Sequence, residues 1–376
     1  MDFDLTQEQN MLRESVGKLI AQHYDFELRK KYAKSAAFNQ EMWQRYAEMG
    51  LLGLPFAEAE GGFGGGPVET MIVMEAFGRG LILEPYFPTV VLCGALLRHA
   101  AAPAERRELI GRIAAGEVKL AFAHAEAGAR YELAHVTTRA QKKGDAWVID
   151  GAKSLVFGGD VADMLIVSAR SGGGDTDPAG IGLFLVDAAG GGVSRRSYRL
   201  QDATGAAEIT FHEAQALPLG LPGEAFPAIE RAVDEALAAL VAEALGVMGA
   251  MQETTLEYIK TRQQFGRPIG QFQALQHRAV DMLIAVEQAR SMVYYATMMA
   301  GAEDRTERRR AISAAKAEMG KLGRKVGQEA IQLHGGIGMT MEYKIGHYFK
   351  RMTMIELMFG DTDHHAALLA DLGGLF

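Results

Sequence analysis

Cysteine is all but missing from this sequence: its 376 residues include one, Cys93. A single thiol excludes an intrachain disulfide and a thiolate metal cluster, and it fits a reducing compartment. Cys93 lies within the apolar run from Val90 to Leu97, which reads as a buried, inert thiol. Positive charge is also scarce, with 39 Lys and Arg against 47 Asp and Glu and a net charge of -8. No stripe of Lys and Arg interleaved with aromatics is present, which argues against a nucleic-acid footprint. The one short basic run, Arg308 to Arg310, sits beside Glu303, Asp304 and Glu307 and reads as a solvated helix face. No uninterrupted apolar segment reaches the roughly 20 residues that span a bilayer. Met1 to Gln9 is acidic and polar, without the basic start and apolar stretch of a signal peptide, so the expectation is a cytoplasmic enzyme of bacterial type with no membrane span.

What is present is ample material for a core. A chain of this length predicts two or three subdomains, and 48% hydrophobic with 23% charged residues is ordinary for a globular protein. Residues 1–118 read as helical: Thr6 and Gln9 form a capping box, and Leu12, Val16, Leu19 and Ile20 recur at helical spacing. Gly61 to Pro67, with five glycines, reads as a flexible connection bordering a ligand cleft. Residues 119–218 change to short strand-like runs: Trp147 to Ile149, Met164 to Val167, Ile181 to Val186 and Ile209 to Phe211. The triplets Gly172 to Gly174 and Gly190 to Gly192 read as hairpin or loop connections, since neither lies between a strand and a helix with phosphate-loop spacing. Residues 219–376 return to helix, with one stripe through Ile229, Val233, Leu237, Leu240, Ala244, Val247 and Met251. Further helices are predicted from Gln273 to Gly301 and from Thr306 to His334. The fold class is α+β, helices flanking a small β domain.

Three separated segments carry the chemistry. The first is Ala121-Phe-Ala-His-Ala-Glu126-Ala-Gly-Ala-Arg130, followed by Thr137 to Ala140 and by Trp147-Val-Ile-Asp-Gly-Ala-Lys153. The second is Arg262-Gln-Gln-Phe265-Gly-Arg-Pro-Ile269, continued by Gln271-Phe-Gln273-Ala-Leu-Gln-His277. The third is Gln332-Leu-His-Gly335-Gly336-Ile-Gly338. An Arg presents a planar fork suited to a diphosphate, and paired glycines let a ligand or a neighbouring chain approach the backbone closely. In this order the segments resemble the acyl-CoA dehydrogenase family over nearly the whole chain. That resemblance implies an N-terminal helical domain, a middle small β-barrel and a C-terminal four-helix bundle that together hold FAD. It implies α,β-dehydrogenation of an acyl-CoA, with electrons leaving to an electron-transfer flavoprotein. Arg262, Phe265, Gln273, Gln332, Gly335 and Gly336 would meet the FAD diphosphate and adenine across a subunit boundary. Glu126 and Phe157 would stand on the flavin side.

The sequence departs from the family at its chemical centre. Phe359 occupies the position of the family's basic Glu, which leaves Asp361 as the nearest carboxylate and as either a base or a helix N-cap. Members that carry the base on the long helix would place it at Ala236. The adjacent Glu235 is about 100° around the helix, so Glu235 and Asp234 read as solvated carboxylates, with Glu235 the second choice for a base. Leu155 and Phe157 replace the Trp and Thr that the family sets against the flavin ring. Such substitutions resemble the small subunit of pimeloyl-CoA and steroid side-chain dehydrogenases. The partner is then a second, unlike dehydrogenase chain in a heterotetramer, with a homodimer or homotetramer as the alternative.

Overall fold

The computed structural model describes residues 4–374. The chain begins with α1 (Gln7–His23), α2 (Phe26–Ser35), α3 (Gln40–Glu48) and α4 (Pro67–Gly80), and then a π-helical segment, Phe87–Cys93, runs directly into α5 (Gly94–Ala100) before α6 (Pro103–Ala114). The capping box is present: the Thr6 hydroxyl accepts from the Gln9 amide at 3.2 Å while the Gln9 side chain accepts from the Thr6 amide at 3.0 Å. The π-helical segment has no signature in the sequence, and its residues are buried throughout, Cys93 included. Burial pushes the Cys93 thiol well above its usual range, so it stays protonated and unreactive.

Seven strands follow: β1 (Leu120–Ala123), β2 (Arg139–Lys143), β3 (Ala146–Phe157), β4 (Met164–Arg170), β5 (Ile181–Asp187), β6 (Val193–Arg199) and β7 (Gly205–Leu219). All four sequence-read strands are among them, and the two glycine triplets fall in the β4–β5 and β5–β6 connections. Pairing runs from β4 through β2, β3, β7 and β5 and back to β4, so five strands close a small barrel; β1 adds in parallel to β4, and β6 adds to β7. Along β7, buried and exposed residues alternate as a strand with one face inward requires. Ile149, Leu165, Val167, Phe184, Ile209 and Phe211 fill the interior. The closing seam is thin, a single β2–β4 pair, Arg139 with Arg170. The buried Arg170 side chain compensates by donating to the carbonyls of Val136, Ala179, Ala134 and Asp177 at 2.7, 3.0, 2.8 and 2.7 Å.

The helical remainder comprises α7 (Phe226–Thr261), a hairpin of β8 (Gln263–Gln264) and β9 (Arg267–Pro268), α8 (Gln273–Ala300), α9 (Arg305–His334), a 3-10 turn Gly335–Met339, α10 (Lys344–Leu357) and α11 (Thr362–Asp371). α7 is buried on every face from Ala236 to Met251, beyond the one stripe its period suggests. Its Gly246 sits against the backbone carbonyl of Glu75 in α4, and Gly78 of α4 sits against that of Glu243. A Cβ at either glycine would collide with main chain.

Packing divides the chain differently from its secondary structure. Residues 31–66 and 83–236 form one body; the segment up to residue 30, residues 67–82 and the chain from residue 237 form another. The boundaries read at 118 and 218 mark where helix gives way to strand and back, whereas packing shares the N-terminal helices between the bodies. Two local expectations are also corrected. The glycine-rich stretch after Glu60 is tied down, with Gly62, Phe63, Gly64 and Gly65 donating their amides to Ala57, Gly53, Phe56 and Leu54. Arg308 is buried and donates to the Ala302 carbonyl at 2.9 Å, because α9 turns that side inward. No helix among the described residues is long and apolar enough to cross a membrane.

Candidate functional site

Strand β3 carries a bulge between Lys153 and Val156, where Ser154 and Leu155 oppose one residue of β7. Leu155 takes a left-handed backbone there, φ 51°, and leaves its apolar side chain 38% exposed. Phe157 follows, half-buried and paired with Ala206. Beneath the bulge Lys153 is fully buried, and its ammonium fills all three donors: Glu126 Oε1 at 2.7 Å, Ser168 Oγ at 3.0 Å and the His124 carbonyl at 3.0 Å. Glu126 also accepts from the Thr137 amide at 2.7 Å, the Thr138 amide at 3.0 Å and the Thr138 hydroxyl at 2.7 Å, and from the Thr137 hydroxyl. Burial raises this carboxyl, but the Lys153 charge and the hydrogen bonds from Lys153 and Thr137 outweigh it and hold it at about 2. The resemblance puts Glu126 on the flavin side; in the structure both its oxygens are saturated by Lys153, Thr137 and Thr138. His124 is lowered to about 3 by burial and then by Lys153, so it is neutral, with Nδ1 accepting from Ser168 at 2.9 Å.

A second group lies at the far end of α7. Phe265 and Gly266 turn the β8–β9 hairpin with φ of 55° and 78°, the two positive values a tight two-residue turn needs. Phe265 is 90% exposed, touching Phe272 edge-on at 6.1 Å. Arg262 opens the hairpin, exposed and without an acidic partner among the described residues; Gln273 is exposed at the start of α8. One turn before Arg262, Tyr258 stacks on His334 of α9 at 4.3 Å, which brings the hairpin end of α7 to the segment Gln332–Gly336. Tyr343 leans on His334 at 5.1 Å.

This end has the character of a ligand site. His334 donates from Nδ1 to the Ala330 carbonyl at 2.8 Å, while its buried Nε2 acceptor has no partner. A Cβ built on Gly336 would meet nothing within 4 Å, and its backbone does not need glycine, so nothing in this chain accounts for the choice. Gly335, with φ 63°, ends α9 and has the same open space. An unpaired guanidinium, an orphaned acceptor and two bare backbone positions fit the diphosphate and adenine end of FAD.

Neither proposed base is free. Glu235 is pinned by Arg98 at 2.7 Å, His99 at 2.8 Å and Arg231 at 3.1 Å. Burial raises its carboxyl, but the His99 hydrogen bond and the Arg98 charge prevail and hold it at about 2, so it is neither solvated nor basic. Asp234 is buried as well, which corrects the same reading. Asp361 is the N-cap of α11, accepting from the His364 amide at 2.9 Å. Phe359 takes φ 55° in the turn before it. Among the described residues eight non-glycine residues take a positive φ, and four of them, Arg130, Leu155, Phe265 and Phe359, lie in segments the sequence marks for chemistry. Lys153 and His334 escaped assignment from sequence, although both lie within the segments that carry the chemistry.

Comparison with known proteins accounts for this distribution. Residues 6–117, 121–215 and 225–372 match the family descriptions "Acyl-CoA dehydrogenase, N-terminal domain", "middle domain" and "C-terminal domain". The chain is 27% identical to the short-chain specific acyl-CoA dehydrogenase of Clostridium acetobutylicum, over 96% of this chain and 97% of that protein. Among solved structures it is 31% identical to a single-substitution variant of the "Tcur3481-Tcur3483 steroid ACAD", at a TM-score of 0.87 and 97% coverage of both chains. The butyryl-CoA dehydrogenase of Megasphaera elsdenii, 22% identical with 99% of each chain covered, shares the fold at a TM-score of 0.91. From its N-terminal helices to α11, the chain belongs to the acyl-CoA dehydrogenase family of FAD-binding oxidoreductases, which act on CH–CH bonds.

Proposed function

We propose that this chain takes part in the α,β-dehydrogenation of an acyl-CoA thioester as one subunit of a heteromeric enzyme, its partner a second dehydrogenase chain that supplies the base. The observation that carries this reading is an imbalance within the chain. The Arg262, His334 and Gly336 end is open and charged for a cofactor, whereas Phe359 replaces the base, Asp361 caps a helix and Glu235 is locked among cations. FAD, when bound, supplies the hydride acceptor. The residues of this chain would grip it: Arg262 the diphosphate, with Gln273, Gln332, Gly335 and Gly336 alongside, and Phe265 reaching outward from its turn toward a neighbouring subunit. Leu155 and Phe157 offer an apolar surface for the ring. An electron-transfer flavoprotein is the electron acceptor that goes with this chemistry. In a second reading the chain works alone and Asp361 is its base, the only carboxylate within two residues of Phe359.

Anaerobic titration of the purified chain with a panel of acyl-CoA thioesters tests this, with and without co-expressed partner. A flavin spectrum that bleaches only in the mixed complex is the expected result. Bleaching by the chain alone that disappears in D361N would establish the second reading, and a colourless chain in both preparations would reject both.

A further inference from the structure

The connection from α10 to α11 is held from beneath by two buried side chains. Lys316 of α9 is 2% exposed, and its ammonium donates to the Glu356 carbonyl at 2.7 Å and the Gly360 carbonyl at 2.6 Å. His365 of α11 places Nε2 3.1 Å from the Phe359 carbonyl and Nδ1 3.3 Å from the Ser313 hydroxyl, one turn before Lys316. The carbonyls three residues before Phe359, at Phe359 and one residue after it are thus taken by groups outside the turn. Gly360 completes the trap. Its φ is 116°, and a Cβ there would lie 2.5 Å from His364 and 2.6 Å from His365. Between these anchors Phe359 is fixed in a left-handed conformation that a bulky side chain avoids when free to choose. A buried cation is costly even beside Glu356 and Asp361, and a helix-end turn closes without one, so the arrangement points to something the turn must present.

We propose that Lys316 is a positioning residue: by tying the carbonyls on both sides of Phe359, it sets the direction in which residue 359 faces the acyl thioester. The identity of what residue 359 faces rests on the function proposed above; the tie itself does not. The charged or titratable groups facing Lys316 are Glu356 of α10, Asp361 at the cap of α11 and His365 of α11. Glu356 is engaged by Arg324 at 2.5 Å, and His365 stays neutral, lowered to about 3 by burial and then by Lys316. Burial lowers Lys316 itself to about 7, against the opposing charges of Glu356 and Asp361.

The test uses the full chain labelled with 4-fluorophenylalanine, the Phe359 signal being identified by its loss in F359L. In K316M, whose side chain has similar length but no donor, the Phe359 fluorine signal is expected to move toward the position of the free amino acid while those of buried Phe87 and Phe122 stay. With FAD added, octanoyl-CoA should bind at least tenfold more weakly to K316M at unchanged FAD occupancy. An unmoved Phe359 signal, or equal movement of all three, overturns the proposal. A moved signal in a chain that binds neither FAD nor octanoyl-CoA overturns the proposed function and leaves the tie standing. If K316M does not fold, K316Q, shorter and uncharged, takes its place with the same readouts, and an unmoved Phe359 signal in it overturns the proposal.

Discussion

Glu126 and Lys153 stand 27 residues apart in the chain, and the sequence shows both in one motif without revealing that they pair. Only the folding of the β domain brings them together, so the sequence shows Glu126 as a ligand contact and does not show that Lys153 anchors it under the Leu155 bulge. Removing one partner of a buried pair strands the other charge, and E126Q is expected to lose about 3–5 kcal/mol of unfolding free energy in denaturant titration. The double variant with K153M should regain part of that. Linkage gives the pH sign: Glu126 is depressed from 4.5 to about 2, so its contribution is complete above pH 4.5 and lost as pH falls toward 2. The E126Q chain should therefore lack that acid-dependent loss. Arg262 is the opposite kind of residue, legible in sequence because its partner is the ligand. R262A forfeits a charge-assisted contact of about 1.5–3 kcal/mol, so FAD should bind roughly 10- to 150-fold more weakly by fluorescence titration. Equal affinity would remove Arg262 from the site.

Among the elements, those with a clear period were legible, α8 and α9 to within a residue or two at each end. What escaped was set by neighbours distant in sequence. Both the all-round burial of α7 and the inward turn of Arg308 depend on helices that no local pattern announces. The Gly61–Gly66 stretch looks loose because glycine permits many conformations, and yet its amides find carbonyls in the preceding turn. Asp361 offers a test at this scale, since a cap and a base make different demands. Asn caps as well as Asp, so D361N should melt within a degree or two of wild type, while D361A should lose about 1 kcal/mol. A D361A chain as stable as wild type would mean the cap carries no weight.

For the molecule as a whole, the order helix, β, helix was readable from the sequence, but the division into packed bodies was not, because it follows contacts between the two ends of the chain. The body that includes α8 also leaves apolar surface bare: Val280, Leu283, Ile284, Tyr295 and Met298 on α8, with Phe265, Met339 and Met341 beyond it. Scattered exposed apolar residues need no explanation, but a row along one helix predicts an interface. Sedimentation of the purified chain, alone or with its partner, is expected to give at least a dimer, and V280E/I284E should reduce it to a 40.7 kDa monomer. A wild-type monomer that binds FAD stoichiometrically would contradict the shared site.

The barrel seam has a consequence for how the protein fails. The ring closes through little: one backbone pair, Arg139 with Arg170, the Arg170 guanidinium, and the contacts of Val136 and Arg139 with the β4–β5 connection. Should Arg170 let go, β2 would lose its one link to β4 and present its outer edge, the template on which chains join edge to edge, whereas β4 stays covered by β1 over Met164 to Val167. In R170A the β2 amides should exchange with deuterium ahead of the β3–β7 amides, and the protein should precipitate on standing below its melting temperature. Arg170 thus guards solubility as much as stability, through a side chain remote from any ligand.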